Sequence, residues 1–183
     1  MDLIEVKPGS FVNLLHPMPV ALIISVDGEG RPSGMTIAWL TPTSRDPPLL
    51  AAAISPWRYT YELIKQSRDF TINLLDSSMV KEAELFGTVS GRDIEKFKES
   101  KLTLAKSKIV KSPYIAEALT ALECTLFGDY SVGDHRLVIG RVEKAYVRQG
   151  VVEDDIYNLS KARILLYLGE GKYTTTVDRT LTQ

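Results

Sequence analysis

The chain has 183 residues, 44% of them hydrophobic and 25% charged, and its 22 basic and 23 acidic side chains leave a net charge of −1. That is enough for one domain, residues 1–183, with a proper core, and the balanced charge gives no reason to expect a nucleic acid or an anionic membrane as partner. A single cysteine, Cys124, excludes an intrachain disulfide and a cysteine-built zinc cluster, and two histidines, His16 and His135, speak against a histidine-built metal site.

Along the chain, Asp2 and Glu5 precede the first basic residue, Lys7, and no apolar run reaches membrane-spanning length. No secretory signal is visible and a cytoplasmic protein is expected, so Asn158-Leu159-Ser160 is read as a chance match to a glycosylation acceptor. Val20 to Val26 is an apolar, β-branched run ended by Asp27-Gly28-Glu29-Gly30, a strand entering a hairpin turn. Ser33 to Leu40 returns as the second strand. Thr41 to Pro48 is so proline-rich that a loop is expected. A third strand follows over Leu49 to Ile54, then a helix from Arg58 to Ser67, then a strand over Asp69 to Leu75 with alternating polarity.

Asp76-Ser77-Ser78 has the chemistry of a helix cap, with the helix running through Met79 to Phe86 and Gly87 near its end. A short helix is expected over Ile94 to Glu99. Thr103 to Val110 and Leu119 to Tyr130 read as extended, separated by a helical turn at Pro113 to Glu117. Leu137 to Val147 is another strand, and Ile164 to Leu168 a final apolar segment ended by Gly169-Glu170-Gly171. Cys124 falls inside a strand, where a thiol is buried rather than reactive. Mostly hairpin-like connections predict a mainly β protein, an antiparallel β-barrel with short helices.

Gly28-Glu29-Gly30-Arg31-Pro32-Ser33-Gly34 is not a dinucleotide fingerprint, because the third glycine is late and Pro32 with a strand replaces the required helix. Ser55-Pro56-Trp57-Arg58-Tyr59-Thr60 lies where a strand ends and a helix begins. Helix amides, two hydroxyls and a guanidinium there could hold a phosphate monoester, or Ser55 or Thr60 could simply cap the helix. Gly34 inside a strand marks a close approach, with Thr36 and Trp39 beside it as a hydroxyl and a flat ring, although a buried Met35 and Trp39 would explain the same residues. Gly87-Thr88-Val89-Ser90-Gly91-Arg92-Asp93 is either an anion-facing turn or a Gly87 C-cap followed by a Ser90 or Asp93 N-cap. Asp134 and His135 are either a hairpin loop or an imidazole–carboxylate pair in a pocket. The histidines have no motif-level partner serine, and Asp154-Asp155 reads as solvated surface.

Taken in order, these motifs resemble the flavin reductase-like family of FMN-binding split barrels, flavoredoxin-like proteins among them. They are His16-Pro17-Met18-Pro19-Val20, Gly34 to Trp39, Asp46-Pro47-Pro48, Ile54 to Tyr61, Gly87 to Phe97, Leu122-Glu123-Cys124 and Gly133-Asp134-His135, running from about residue 14 to about 173. The resemblance implies a homodimer with flavin near the subunit interface. It implies that Thr36, Ile37, Ala38 and Trp39 lie along the flavin ring, that Ser55, Arg58, Tyr59 and Thr60 hold the phosphate, and that Ser90 and Gly91 approach from a loop. Lys96 is a further candidate at the phosphate end, Tyr173 near the C-terminus is expected to reach across the dimer, and His135 faces the arriving electron donor. The cofactor implied is FMN rather than FAD, with NAD(P)H as co-substrate and no side chain as acid, base or nucleophile in hydride transfer. A flavin reductase is implied; a flavoredoxin-like carrier fed by a protein partner, or a flavin-binding protein without turnover, are the alternatives.

Overall fold

A computed structural model describes residues 3–179. Helix α1 (Phe11–Leu14) leads to β1 (Met18–Pro19), β2 (Ala21–Val26), β3 (Pro32–Ile37), β4 (Leu40–Ser44) and β5 (Leu49–Ile54). Helix α2 (Tyr59–Ser67) and β6 (Asp69–Leu74) follow, then α3 (Val80–Thr88), α4 (Lys96–Glu99), β7 (Leu104–Ala105) and β8 (Tyr114–Ile115). The long strands β9 (Thr120–Val132) and β10 (His135–Val147) precede the pairs β11 (Val152–Glu153) with β12 (Ile156–Tyr157) and β13 (Leu165–Gly169) with β14 (Lys172–Thr175).

Seven strands form one antiparallel sheet in the order β3-β2-β6-β9-β10-β5-β4. Its two edges, β3 and β4, are consecutive in the chain and joined only by Ala38 and Trp39. So short a link spans about 10 Å at most, so the sheet must curl until its edges nearly meet. They do not pair, and the result is a barrel with a slit at Trp39.

Strand β2 is buried along its whole length because both of its faces are covered. Ala21 and Ile23 point into the barrel with Ile37, Leu50, Ile54, Phe70 and Cys124, and Tyr61 and Ile64 of α2 pack there too. Leu22 and Ile24 face the other way, against Ala83 and Phe86 of α3, with Leu75, Ile115 and Leu165. This explains a continuous apolar run where a one-sided strand would alternate. Each such large side chain contributes about 1.5–3 kcal/mol of burial. Burial also pushes the Cys124 thiol up, so it stays protonated.

Four expectations needed correction. Of the run Thr103 to Val110 only Leu104–Ala105 is strand, and the rest is irregular. Thr41 to Pro48 is not all loop: β4 pairs with β5, and Pro42 is tolerated because β4 is an edge strand with a register irregularity beside it. The Pro113 to Glu117 segment is not a helical turn but contains β8. Its Ile115 N–H donates to Asn73 Oδ1 at 2.8 Å and its Pro113 carbonyl accepts from Thr71 Oγ1 at 2.7 Å, so buried side chains of β6 hold it extended. Gly169-Glu170-Gly171 is not an end but a turn into β14; all three residues have positive φ, 102°, 52° and 71°. The close approach at Gly34 is to the chain itself, where an added Cβ would lie 3.0 Å from the Ile23 carbonyl oxygen and 3.4 Å from Phe86 Cδ1.

Candidate functional site

Two adjoining cavities open where the barrel edges separate. The larger, about 360 Å³, is bordered by Thr36, Ile37, Ala38 and Trp39, by Ser55 and Arg58, by His135 and by Tyr173. The smaller, about 130 Å³, is bordered by Arg58, Tyr59, Thr60, Ser90, Gly91 and Lys96. Met35, Arg58 and Thr88 belong to both walls, so the two adjoin. Every site residue singled out from the sequence lies on one of these two cavities.

Strand β3 forms one side of it. As an edge strand it leaves a row of peptide groups without a strand partner. The Thr36 hydroxyl is turned away, donating to the Ala83 carbonyl at 2.6 Å and tying β3 to α3. Trp39 closes the slit with its ring centroid 4.8 Å from that of His135, the planes inclined by 35°. His135 opens β10, and its Nδ1 lies 2.7 Å from Asp134 Oδ1. The hairpin loop and the imidazole–carboxylate pair are thus both present. The hydrogen bond to His135 holds the Asp134 carboxyl below the usual carboxylate range.

Neither Ser55 nor Thr60 caps α2. Arg58 occupies the cap position in an extended conformation and no side chain takes up the first-turn amides, while Thr60 is buried. Arg58 Nη1 donates to the Gly87 carbonyl at 3.0 Å. Gly87 is part of α3 rather than its cap; Val89 ends that helix, and Glu95, not Ser90 or Asp93, precedes α4. Ser90 instead accepts from the Arg92 N–H at 3.2 Å within its own turn.

Lys96 is only 5% exposed. Its ammonium donates to the carbonyls of Gly34 at 2.8 Å and Phe86 at 3.0 Å, joining β3 to the end of α3. Burial, with a smaller contribution from the Arg58 charge, pulls its pKa down to about 8. Among the described residues neither Lys96 nor Arg58 is paired with a carboxylate. Two cations without counter-charges, beside free helix amides, suit an anion such as a phosphate in the smaller cavity.

Glu84, Thr88, Tyr167 and Gly171 also line the larger cavity, and Trp57 and Arg92 the smaller. Glu84 carried no signal in the sequence, sitting in an ordinary amphipathic helix. Tyr167 and Gly171 could have been found, since a Gly-x-Gly turn between a short apolar run and the β-prone Tyr173-Thr174-Thr175 signals a hairpin. Burial, and then the Glu84 carboxylate, push the Tyr173 phenol up, so it remains protonated.

A slit barrel with an aromatic cavity leading to a cationic one is the architecture of a split-barrel flavoprotein. The chain belongs to the flavin reductase-like family, whose domain matches residues 14–176. A flavin reductase (NADPH) of Lentzea aerocolonigenes is 32% identical over 147 residues, covering 75% of this chain and 83% of that protein. An uncharacterised protein of Aeropyrum pernix is 36% identical over 163 residues, 87% of this chain but 60% of its own length. An FMN-binding protein from Thermus thermophilus, solved with bound p-hydroxybenzaldehyde, superposes with a TM-score of 0.85 at 27% identity, covering 100% of this chain and 98% of that one. No helix among the described residues is long and apolar enough to cross a membrane.

Proposed function

We propose that this protein binds FMN, its ring in the larger cavity and its phosphate in the smaller, and works as a cytoplasmic NAD(P)H-dependent flavin reductase. The observation that carries the reading is a pair of cations, Arg58 and Lys96, that no carboxylate among the described residues neutralises, beside cavities walled further on by Trp39 and His135. When bound, the flavin would supply the redox chemistry, accepting hydride at N5 from nicotinamide C4. The chain's own part is positioning. Arg58, Ser55, the first-turn amides of α2 and the turn at Ser90 and Gly91 would hold the phosphate. The free edge of β3 from Thr36 to Ala38 would meet the polar edge of the ring, and Trp39 with Tyr173 would bound it.

His135 would meet the nicotinamide, its ring oriented by Asp134. No side chain is needed as acid, base or nucleophile in hydride transfer, and none is assigned that role. A homodimer fits an exposed apolar groove of about 330 Å³ lined by Phe11, Leu15, Met18, Leu40 and Leu137. It shares Trp39 and Ala53 with the larger cavity, so a second copy seated there would border the flavin.

Anaerobic mixing with NADH and with NADPH tests the activity. The reading predicts bleaching of the absorbance near 450 nm (roughly where oxidised flavins absorb) with at least one donor. Bound flavin that neither donor bleaches would remove the reductase and favour a flavoredoxin-like carrier served by a protein partner.

A further inference from the structure

Among the described residues, Glu84 is the one acidic side chain on the walls of either cavity. It sits on α3, whose Ala83, Glu84, Gly87 and Thr88 form the face turned to the larger cavity. The helix cannot roll to carry it away. Ala83 and Phe86 are fully buried in the cluster that holds Leu22 and Ile24 of β2, and Thr36 Oγ1 donates to the Ala83 carbonyl at 2.6 Å. The half-buried carboxylate reaches along the wall to the β13–β14 turn, where its Oε1 would lie 3.9 Å from a Cβ added at Gly171. Among the described residues no cation lies within ion-pair distance of it. The group that faces it is the Tyr173 phenol, which burial, and then Glu84 itself, keep protonated.

A half-buried carboxylate with a phenol but no cation beside it is costly to keep. Its charge matters most to a ligand whose own charge changes. Hydride transfer from nicotinamide C4 to flavin N5 moves two electrons and a proton, so the neutral oxidised ring becomes an anion and the nicotinamide a cation. Arg58 and Lys96 act on the phosphate, which is the same in both redox states and offsets much of their field at the ring. His135 is paired at 2.7 Å with Asp134, whose side chain stands in water that screens it. Glu84 is left as the charge that distinguishes the two redox states. We propose that Glu84 makes the larger cavity hold oxidised flavin more tightly than reduced flavin, so that the reduced cofactor is a strong donor and leaves readily for its acceptor. This rests on the reading of that cavity as the site of the flavin ring. Linkage ties the two halves together: weaker binding of the reduced form is the same statement as a lower reduction potential for the bound cofactor.

The test is anaerobic spectroelectrochemistry of the FMN-loaded wild-type protein and three variants. Glu84→Gln keeps the shape and removes the charge. Reduced FMN should then bind about tenfold better relative to oxidised FMN, which raises the potential by about 30 mV for a two-electron couple. Tyr173→Phe keeps the charge and removes the hydroxyl that partly screens it, so the potential should move the other way. Glu82→Gln takes the same charge from a position on α3 that lines neither cavity, and should leave the potential where it was. A potential that Glu84→Gln or Tyr173→Phe leaves unmoved, that both move in one direction, or that Glu82→Gln moves as far as Glu84→Gln, would overturn the inference while leaving the flavin site intact. Wild-type protein that binds no flavin would remove both.

Discussion

The Arg58 guanidinium reaches from the cap position of α2 to the Gly87 carbonyl in the last turn of α3, at 3.0 Å. One side chain thus bridges the two helices that flank the cavity and stands at the junction of its aromatic and cationic parts.

Replacing Arg58 with alanine should therefore separate two ligands. FMN affinity is expected to fall about tenfold or more, the usual worth of a charge-assisted contact, whereas riboflavin should change only slightly because it lacks the phosphate. Equal losses for both, measured by fluorescence titration, would mean that Arg58 only braces the helices.

His135→Ala should lower turnover with NADH or NADPH without changing flavin affinity, since His135 lies across the cavity from the cationic end and beside Trp39. Steady-state kinetics beside a flavin titration checks this. Unchanged kinetics would count against the placement of the donor.

Lys96 makes pH act on folding and binding in opposite senses. Its folded pKa is about 8, below the ordinary 10.5, so the unfolded chain holds a proton that the folded chain has released between these values. Stability of the flavin-free protein should rise as pH rises from about 8 towards 10.5. FMN affinity should fall through the same window as the ammonium loses its charge. Denaturant titrations and FMN titrations across that range test the pair, and Lys96→Met should flatten both trends.

Glu123 in β9 is fully buried and holds the segment after β7 in place. Its carboxylate accepts from the N–H groups of Lys108 at 2.9 Å, Ile109 at 2.7 Å and Val110 at 3.2 Å, and from Tyr146 Oη at 2.6 Å. Burial pushes its pKa up, but the Tyr146 and backbone bonds outweigh that and hold it below the usual range. The stabilisation is therefore present above the unfolded carboxyl value of about 4.3 and is lost as pH falls through the lower folded value. Glu123→Gln should cost about 2–4 kcal/mol at neutral pH and remove that acid dependence, read by urea unfolding at pH 7 and pH 4. An unchanged midpoint at pH 7 would contradict this.

The barrel was legible where local signals agreed. Val20 to Val26 with its Asp-Gly turn, Leu49 to Ile54 and Asp69 to Leu75 appear within a residue of β2, β5 and β6. It was illegible where long-range context overrode a local cue. Pro42 looked like a loop residue because nothing nearby in sequence reveals that β4 lies at an edge, and β8 depends on Asn73 and Thr71 some forty residues earlier. The site followed the same division. Arg58 and Trp39 stood out by residue type at an element boundary, whereas the partners of Lys96 are backbone carbonyls of Gly34 and Phe86, which sequence does not mark.

The most direct test of the central claim is a crystal structure of the protein grown with excess FMN. The account predicts the phosphate within hydrogen-bond distance of Arg58 and the first amides of α2, with the ring beside Trp39. A phosphate bound away from Arg58, or a ring lying outside the slit between β3 and β4, would contradict it.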